Sequence, residues 1–269
     1  MTIVLPDFHY HRPRSLAEAR AIYSQAEEPV FLSGGHTLLP TMKSGLSVAG
    51  SLIDLRGIPE MHGIAVSAGI VSIGAASVHA CVAASAIVRE NIPALAALAG
   101  SIGDVQVRNR GTIGGSLANN DPAADYPAAA LALNATVETD RRSIEIDDYF
   151  TGLYETALEP GEIVKRLRFP IPKWAAYAKF RNPASRYAMA AVFVSRLNDG
   201  SVRVAVTGAG NDGVFRWREA EEALEGDFTP QAIGGLRLEP SRMMDDIHGS
   251  SAYRASLVKV MTRRALQNG

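Results

Sequence analysis

The sequence predicts a protein of the α+β class that contains more than one domain. At 269 residues the chain is long for a single hydrophobic core, and its 47% hydrophobic and 20% charged residues are typical of a globular protein. Several extended segments are joined by tight turns, as at Ala68-Gly69 and Asn198-Asp199-Gly200, which is the pattern of antiparallel hairpins. Because regular strand–helix–strand alternation is missing, the pattern disfavours a doubly wound Rossmann core.

The first part of the chain begins with a capped helix. Ser15-Leu16-Ala17-Glu18 is a capping box, and apolar residues at helical spacing extend the predicted helix to about residue 26. A short buried strand over residues 30–32 follows, then a brief helix over 38–42 that Pro40 interrupts. We further predict strands over residues 51–55, 64–67 and 70–75, a helix from Ser77 to Ser85, and a helix over 92–99.

The remaining elements suggest a domain boundary near Pro172. A helix is predicted over residues 127–133 and strands over 135–139, 142–146 and 163–169, with 147–159 as a connection. Pro170 and Pro172 favour an extended linker, which gives a domain over residues 1–172, with subdomains of about 1–55 and 56–172, and another over 173–269. The latter is predicted to hold strands over 175–181, 188–197 and 202–207 and helices over 218–225, 229–236 and 252–267.

Composition and charge narrow the classes of partner and compartment. The formal net charge of -1 gives no electrostatic support for binding nucleic acid or an anionic membrane. The stretch from Met1 to Arg14 has no apolar signal core, and no window approaches ~18 consecutive apolar residues, so we predict no membrane span. The single cysteine, Cys81, excludes an internal disulfide and a four-cysteine cluster site. We therefore expect a cytoplasmic protein in which Cys81 is buried and inert.

Two diglycine turns are the strongest functional signal. Gly34-Gly35-His36-Thr37 and Gly114-Gly115-Ser116-Leu117 each follow an extended stretch and lead into an apolar, helix-compatible segment. Glycine lets backbone N–H groups approach a ligand closely, and a nearby hydroxyl adds a neutral hydrogen bond to an anion. Together the turns predict a cofactor that bears a diphosphate. Gly234-Gly235 repeats the dipeptide in a linker, so diglycine alone indicates only a turn.

The segment over residues 109–125 surrounds the second turn and is unusually polar. It contains three glycines, three asparagines and two aspartates between apolar helices. The alternative interpretation is a long polar surface loop, but structureless loops of this length are uncommon in compact domains and are often functional. We therefore interpret the segment as part of a binding site.

Residues 33–43, 108–116 and 121–125 resemble the signatures of a known family, the FAD-binding medium subunits of molybdenum hydroxylases such as carbon monoxide dehydrogenase and xanthine dehydrogenase. The first signature in that family reads Ala-Gly-Gly-His/Gln-Ser/Thr-Leu-Leu-Pro followed by Met-Lys, and this chain departs from it at Ser33. The second signature runs into Asp-Pro-Ala-Ala-Asp, here Asp121 to Asp125. The resemblance extends over essentially the whole chain.

The resemblance implies a vanillyl-alcohol-oxidase-like (PCMH-type) fold, with two N-terminal subdomains around non-covalent FAD and a C-terminal antiparallel sheet with helices. Asp125 is expected to accept a hydrogen bond from ribityl or ring donors, Lys179 to lie near the polar edge of the flavin, and Tyr187 to cover its face. No residue is predicted to act on the substrate or to bind a metal. The predicted cofactor-binding residues are Leu32, Ser33, Gly34, Gly35, His36, Thr37, Leu38, Ile102, Gly103, Thr112, Gly114, Gly115, Ser116, Asn119, Asp125, Ile163, Lys179 and Tyr187.

The expected partners also come from the resemblance. A large subunit with molybdopterin would oxidise the substrate, and a small subunit with two [2Fe–2S] clusters would relay electrons to FAD in this chain. The acceptor would be NAD, a quinone, a carrier protein or oxygen, and the assembly a dimer of heterotrimers. Two alternatives stay open at this point: a self-contained flavin-dependent reductase or oxidase, and a flavin- or nucleotide-binding interaction protein without a redox partner.

Overall fold

The computed structural model describes residues 7–269, so the first six residues of the predicted domain 1–172 lie outside the described residues. The fold combines helices with three main sheets, which confirms the α+β class. The first sheet is parallel and has the order β1-β3-β2. Its strands are β1 (His9–His11), β2 (Pro29–Leu32) and β3 (Ser51–Asp54), and its helices are α1 (Leu16–Gln25) and α2 (Leu38–Lys43).

The predicted capping box starts α1. Ser15 Oγ accepts a hydrogen bond from the Glu18 N–H (3.1 Å), and Glu18 Oε2 accepts one from the Arg14 N–H (2.7 Å). The first bond satisfies one orphan amide of the helix, and the second holds the N–H of the residue before the cap in place of the Ser15 N–H.

The second sheet has five strands in the order β4-β5-β10-β6-β7, and every pair is antiparallel. A separate two-stranded hairpin, β8–β9, lies between β7 and β10 in sequence. The strands are β4 (Ile64–Ser67), β5 (Ile70–Gly74), β6 (Thr136–Thr139), β7 (Ser143–Glu145), β8 (Phe150–Gly152), β9 (Glu155–Thr156) and β10 (Val164–Pro170).

Six short helices fill the chain between β5 and β6, and most of them bury apolar side chains in one core with the second sheet. They are α3 (His79–Ala84), α4 (Ala86–Asn91), α5 (Pro93–Ser101), α6 (Val105–Arg108), α7 (Ile113–Asn119) and α8 (Tyr126–Ala132).

The third sheet is antiparallel with the order β11-β12-β13-β14. Phe193 and Ala205 on one face join the core of the second sheet, whereas Val192 and Val204 on the other face pack with the last two helices. Both faces of this sheet are therefore covered. Its elements are β11 (Trp174–Arg181), β12 (Ala188–Arg196), β13 (Val202–Thr207), β14 (Phe215–Arg216), α9 (Arg218–Gly226) and α10 (Ser251–Asn268).

Several expectations from the sequence are wrong, including the interruption of α2 at Pro40 and the capping of α3 by Ser77. Residues 229–236 form successive i→i−3 turns and no helix; the Thr229 hydroxyl donates to Asp227 Oδ2 and does not cap a helix. Gly234 and Gly235 lie within this segment, and glycine weakens a helix that is already short. Cys81 is exposed, because the short helix α3 turns His79 and Val82 inward and leaves Cys81 outside.

Candidate functional site

The two glycine segments lie in direct contact. Ser33 Oγ and Thr112 Oγ1 are hydrogen-bonded at 2.9 Å. A Cβ added to Gly34 would lie 2.4 Å from the carbonyl oxygen of Arg110 and 2.7 Å from Cα of Gly111. Only glycine lets these two backbones approach so closely.

The first segment presents a run of free amides. Among residues 7–269, the N–H groups of Gly34, Gly35, His36 and Thr37 donate to no acceptor of the protein. Gly35 has φ +75°, the left-handed region that favours glycine. Successive N–H groups in a turn of this kind form a concave site for an anion, so the segment is suited to bind phosphate.

The second segment is helical from its start, since Gly114 and Gly115 occupy the first turn of α7 instead of a turn before it. Thr112 caps the helix by accepting a hydrogen bond from the Gly115 N–H (3.1 Å). A Cβ on Gly114 would lie 2.5 Å from Cβ of Ala75, so this glycine allows α7 to pack on the residue that follows β5. The polar segment over residues 109–125 therefore contains a short, anchored helix and is not a structureless loop.

A cavity of about 390 Å³ opens between the two segments. A second cavity, of about 370 Å³, shares Ile102, Val107, Asp125 and Tyr187 with the first and is lined by Gly103 and Lys179 as well. The predicted residues that line the first cavity are Leu32, Ser33, Gly34, Gly35, His36, Thr37, Leu38, Ile102, Thr112, Gly114, Gly115, Ser116, Asn119, Asp125, Ile163 and Tyr187. Every predicted cofactor-binding residue thus borders one of the two adjoining cavities.

Several lining residues were missed by the sequence analysis. Asp121 and Ala124 belong to the second signature, so their position in the motif was the available signal. His79, Leu158 and Glu162 come from α3 and from the segment before β10. Their sequence neighbourhoods carry no pattern that points to a site.

Asp125, Lys179 and Tyr177 form a buried polar cluster, in which Asp125 lines both cavities and Lys179 lines the second. Lys179 Nζ lies 2.8 Å from Asp125 Oδ1 and 2.9 Å from Oδ2, and the Tyr177 hydroxyl donates to Oδ1. The side chains of Lys179 and Asp125 are 4% and 5% exposed. Burial, reinforced by the Asp125 charge, raises the pKa of Tyr177 and keeps its phenol protonated. The lysine therefore lies beside the cavity as half of an ion pair.

Two further ionisable groups line the first cavity in partly desolvated surroundings. Burial, aided by the charges of His36 and Arg108, lowers the pKa of His79 to about 4, so the ring is neutral at pH 7. Among the described residues, His79 Nδ1 has no hydrogen-bond partner. Burial raises the pKa of Asp121, only partly offset by the N–H that Ala123 donates to its carboxylate.

The pKa of Glu162, which also lines the first cavity, is lowered even though the residue is buried. Its burial favours the neutral acid, but hydrogen bonds from Arg142, the Glu159 N–H and Thr139 outweigh this effect and lower its pKa to about 2. The Glu162 carboxylate therefore stays ionised in the wall of the cavity, where its hydrogen bonds connect β6 to the segment before β10.

Comparison with known proteins accounts for this geometry. Residues 6–172 match the family described as the FAD binding domain in molybdopterin dehydrogenase. The chain belongs to the family of FAD-binding medium subunits of molybdenum hydroxylases. It is 34% identical to the carbon monoxide dehydrogenase medium chain of Hydrogenophaga pseudoflava, with 98% of this chain and 97% of the relative covered. It is 35% identical to the nicotine 6-hydroxylase medium subunit of Paenarthrobacter nicotinovorans, covering 97% of each chain.

Solved structures support the same family and the PCMH-like fold. A chain of the carbon monoxide dehydrogenase from Hydrogenophaga pseudoflava that lacks the Mo-pyranopterin moiety superimposes with a TM-score of 0.88, over 98% of this chain and 97% of that one, at 34% identity. A chain of quinoline 2-oxidoreductase from Pseudomonas putida 86 gives a TM-score of 0.87 at 29% identity, covering 98% and 97%. This protein is therefore a subunit of an oxidoreductase.

The part of the chain that the structure describes fits FAD. Free amides for a diphosphate lie at one side of the joined cavities, and a buried Lys–Asp pair lies at the other. Residues 7–269 contain no helix long and apolar enough to cross a membrane and no group of three His, Cys, Asp or Glu side chains arranged to hold a metal ion.

Proposed function

We propose that this chain is the electron-transfer subunit of a heteromeric molybdenum hydroxylase. It receives electrons from [2Fe–2S] clusters of a small subunit, serves a large subunit that carries molybdopterin, and passes electrons to an external acceptor. The observation that carries the proposal is the contact of the two glycine segments at the joined cavities. The single cysteine of the chain, which excludes a four-cysteine cluster here, supports a donor on another subunit.

Each part of the site has a defined task in this proposal. The amides of Gly34 to Thr37 bind the diphosphate, because four free N–H groups compensate its charge without a bound metal. Lys179 and Asp125 face the flavin ring, and Tyr187, which borders both cavities and is 51% exposed, covers it. Bound FAD supplies the exchange of two electrons for single ones. The remaining predicted residues shape the walls, and no residue acts as a general base on the substrate.

The assembly and the compartment are part of the same proposal. The relatives are named as medium subunits or chains, which supports a complex with small and large subunits. The dimer of heterotrimers is proposed from the family resemblance, and the cytoplasm is proposed because a single cysteine cannot form an internal disulfide. The acceptor is NAD, a quinone or another carrier.

The test is to purify this chain alone and together with its small and large partners. Acid precipitation of the chain should release FAD into the supernatant, because the site holds the cofactor through hydrogen bonds. Substrate should bleach the flavin absorbance only in the full complex. A flavin that stays with the denatured protein, or FMN in place of FAD, would contradict the cofactor assignment. Hydroxylation by the isolated chain, or its turnover as a reductase, would favour the self-contained alternative.

A further inference from the structure

The segment from Asp121 to Asp125 is fastened from outside the family-matched range of residues 6–172. At the end of β13, the Thr207 hydroxyl donates to a pair of backbone carbonyl oxygens, 2.7 Å from that of Ala124 and 3.0 Å from that of Pro122. The N–H of Gly208 donates to the same Pro122 oxygen at 2.8 Å. The backbone beside Asp125 is therefore bound to the third sheet.

Arg254 extends this attachment to the C-terminal helix. Its Nη1 donates to the carbonyl oxygens of Gly208 and Met189, each at 2.8 Å, and its Nη2 donates to Asp246 at 2.7 Å. The residue is 3% exposed. One guanidinium of α10 thus holds the strand end that carries Thr207 and also Met189 in β12, which lies two residues after Tyr187. We call Thr207, Gly208 and Arg254 the C-terminal clamp.

The Thr207 hydroxyl is not required for packing. Thr207 is fully buried on the face of β13 that carries Ala205, which packs into the core of the second sheet, and opposite to the face that carries Val204 and Val206. Valine has nearly the same shape as threonine and would fill the strand position without a polar group. The hydroxyl is therefore explained by the two carbonyl oxygens that it reaches.

We propose that Thr207 and Arg254 are positioning residues of the cofactor site: they fix the backbone of residues 122–124 so that Asp125 meets Lys179 and Tyr177 at the cavity wall. The side chain of Asp125 is held by β11 and its backbone by β13, so both restraints come from the third sheet. Residues of the C-terminal region then help to hold the FAD site in the geometry that binds the cofactor. This inference rests on the proposed function, because it takes Asp125 to face bound FAD.

The experiment compares FAD binding by the full chain and by three variants. Thr207→Val removes the donor and keeps the shape, and we expect the FAD dissociation constant to rise about tenfold. Thr207→Ser restores the hydroxyl and should return the constant close to the wild-type value. Thr262→Val is the matched control, because Thr262 is also fully buried and its hydroxyl donates only to Val258 in its own helix. It should leave the constant unchanged.

Flavin fluorescence titration of apoprotein measures the constant, at a temperature well below the unfolding transition of every variant. If Thr207→Val does not fold, Thr207→Ala removes the same hydroxyl without adding a carbon and carries the same expectation. An unchanged constant in the Thr207 variant, or an equal rise in Thr262→Val, would overturn the clamp while the FAD site stands. Failure of the wild-type chain to bind FAD would overturn the proposed function and the clamp together.

Discussion

At the scale of single residues, the charge at the cavity where we propose that the flavin ring binds depends on Asp125 as much as on Lys179. The two side chains are buried against each other, so removing either one leaves an uncompensated charge in a medium that screens it poorly. Lys179→Ala leaves a negative charge, which should destabilise the anionic reduced flavin and lower its reduction potential. Asp125→Asn leaves a positive charge and should raise the potential.

Spectroelectrochemical titration of the FAD-loaded chain measures these shifts. A change of about 1.4 kcal/mol in the relative stability of the two redox states moves a two-electron potential by about 30 mV, so shifts of this order are measurable. The double variant Lys179→Ala/Asp125→Asn restores neutrality and is the control, with a potential near the wild-type value. Shifts of the same sign in both single variants would show that the pair does not face the flavin.

His79 gives the apoprotein a pH dependence of its own. Burial lowers its pKa in the folded state to about 4, against about 6.5 when the chain is unfolded. Below pH 6.5 the unfolded chain therefore binds a proton that the folded chain does not, so stability is fully present above pH 6.5 and falls as the pH drops towards 4. The loss over this window amounts to about 3 kcal/mol at most.

Urea denaturation of the apoprotein at pH 7 and pH 5 measures this effect. His79→Gln should remove most of the difference between the two pH values, because glutamine does not titrate. His248→Gln is the matched control, since His248 is exposed and the same substitution there should leave the difference intact. An undiminished pH dependence in His79→Gln would assign the effect to another group.

At the scale of elements, the contact between the two glycine segments should be sensitive to a single methyl group. Gly34→Ala places a Cβ 2.4 Å from the Arg110 carbonyl, against rigid backbone, so the segments must separate and the run of free amides must shift. We expect Gly34→Ala to be purified with little FAD. The ratio of flavin to protein absorbance gives the occupancy.

Gly100→Ala provides the control for this substitution. Gly100 lies in α5, and a Cβ there would be 3.7 Å from Cβ of Ala83, an ordinary contact. Alanine in place of glycine stabilises a helix by about 0.5–1 kcal/mol, so this variant should retain both stability and FAD. Normal occupancy in Gly34→Ala would show that the close approach of the two backbones is not required.

The elements that local sequence determines were predictable, and those that depend on distant contacts were not. Ser15 and Glu18 form their capping box within four residues, and Asn198-Asp199-Gly200 places the turn between β12 and β13. The hairpin β8–β9 was missed because its anchor is remote: Asn120 Nδ2 donates to the carbonyl oxygens of Gly152 and Glu155, both at 2.8 Å. The sequence of residues 147–159 contains no pattern that indicates Asn120 as the partner of this hairpin.

The same limit applies to the site. The two signatures locate the residues around Gly34 and Gly114, since each is a short local pattern. The pairing of Lys179 with Asp125 joins residues 54 positions apart, and His79 reaches the cavity only because α3 packs beside Gly111. That the predicted residues bind FAD stays a prediction that the variants above can test.

At the scale of the whole molecule, the cofactor site draws on all three main sheets. Residues after β2, after β5, before β10 and within β11 border the two cavities. A ligand that binds only this arrangement stabilises the whole fold by mass action, by about 4 kcal/mol when its concentration is a thousand times the dissociation constant.

We therefore expect excess FAD to raise the thermal unfolding midpoint of the apoprotein in one cooperative step. Differential scanning calorimetry measures the midpoint, and FMN, which lacks the adenylate half, is the control ligand and should raise it less. A transition that splits in two, with only one part responding to FAD, would show that the C-terminal region unfolds independently of the cofactor site.

The contacts that form the site join residues far apart in the sequence, and this separation limits when they can form during synthesis. Ser33 and Thr112 are 79 positions apart, and Thr207 reaches back 83 positions to Ala124. Residues well beyond the end of the family-matched range must therefore leave the ribosome before the contacts between β13 and residues 122–124 can form, so we expect FAD to bind a chain that is nearly complete. A chain truncated before β13 would keep both glycine segments but lack the strand end that binds the carbonyl oxygens of Pro122 and Ala124, so we expect FAD binding to report that the third sheet has folded.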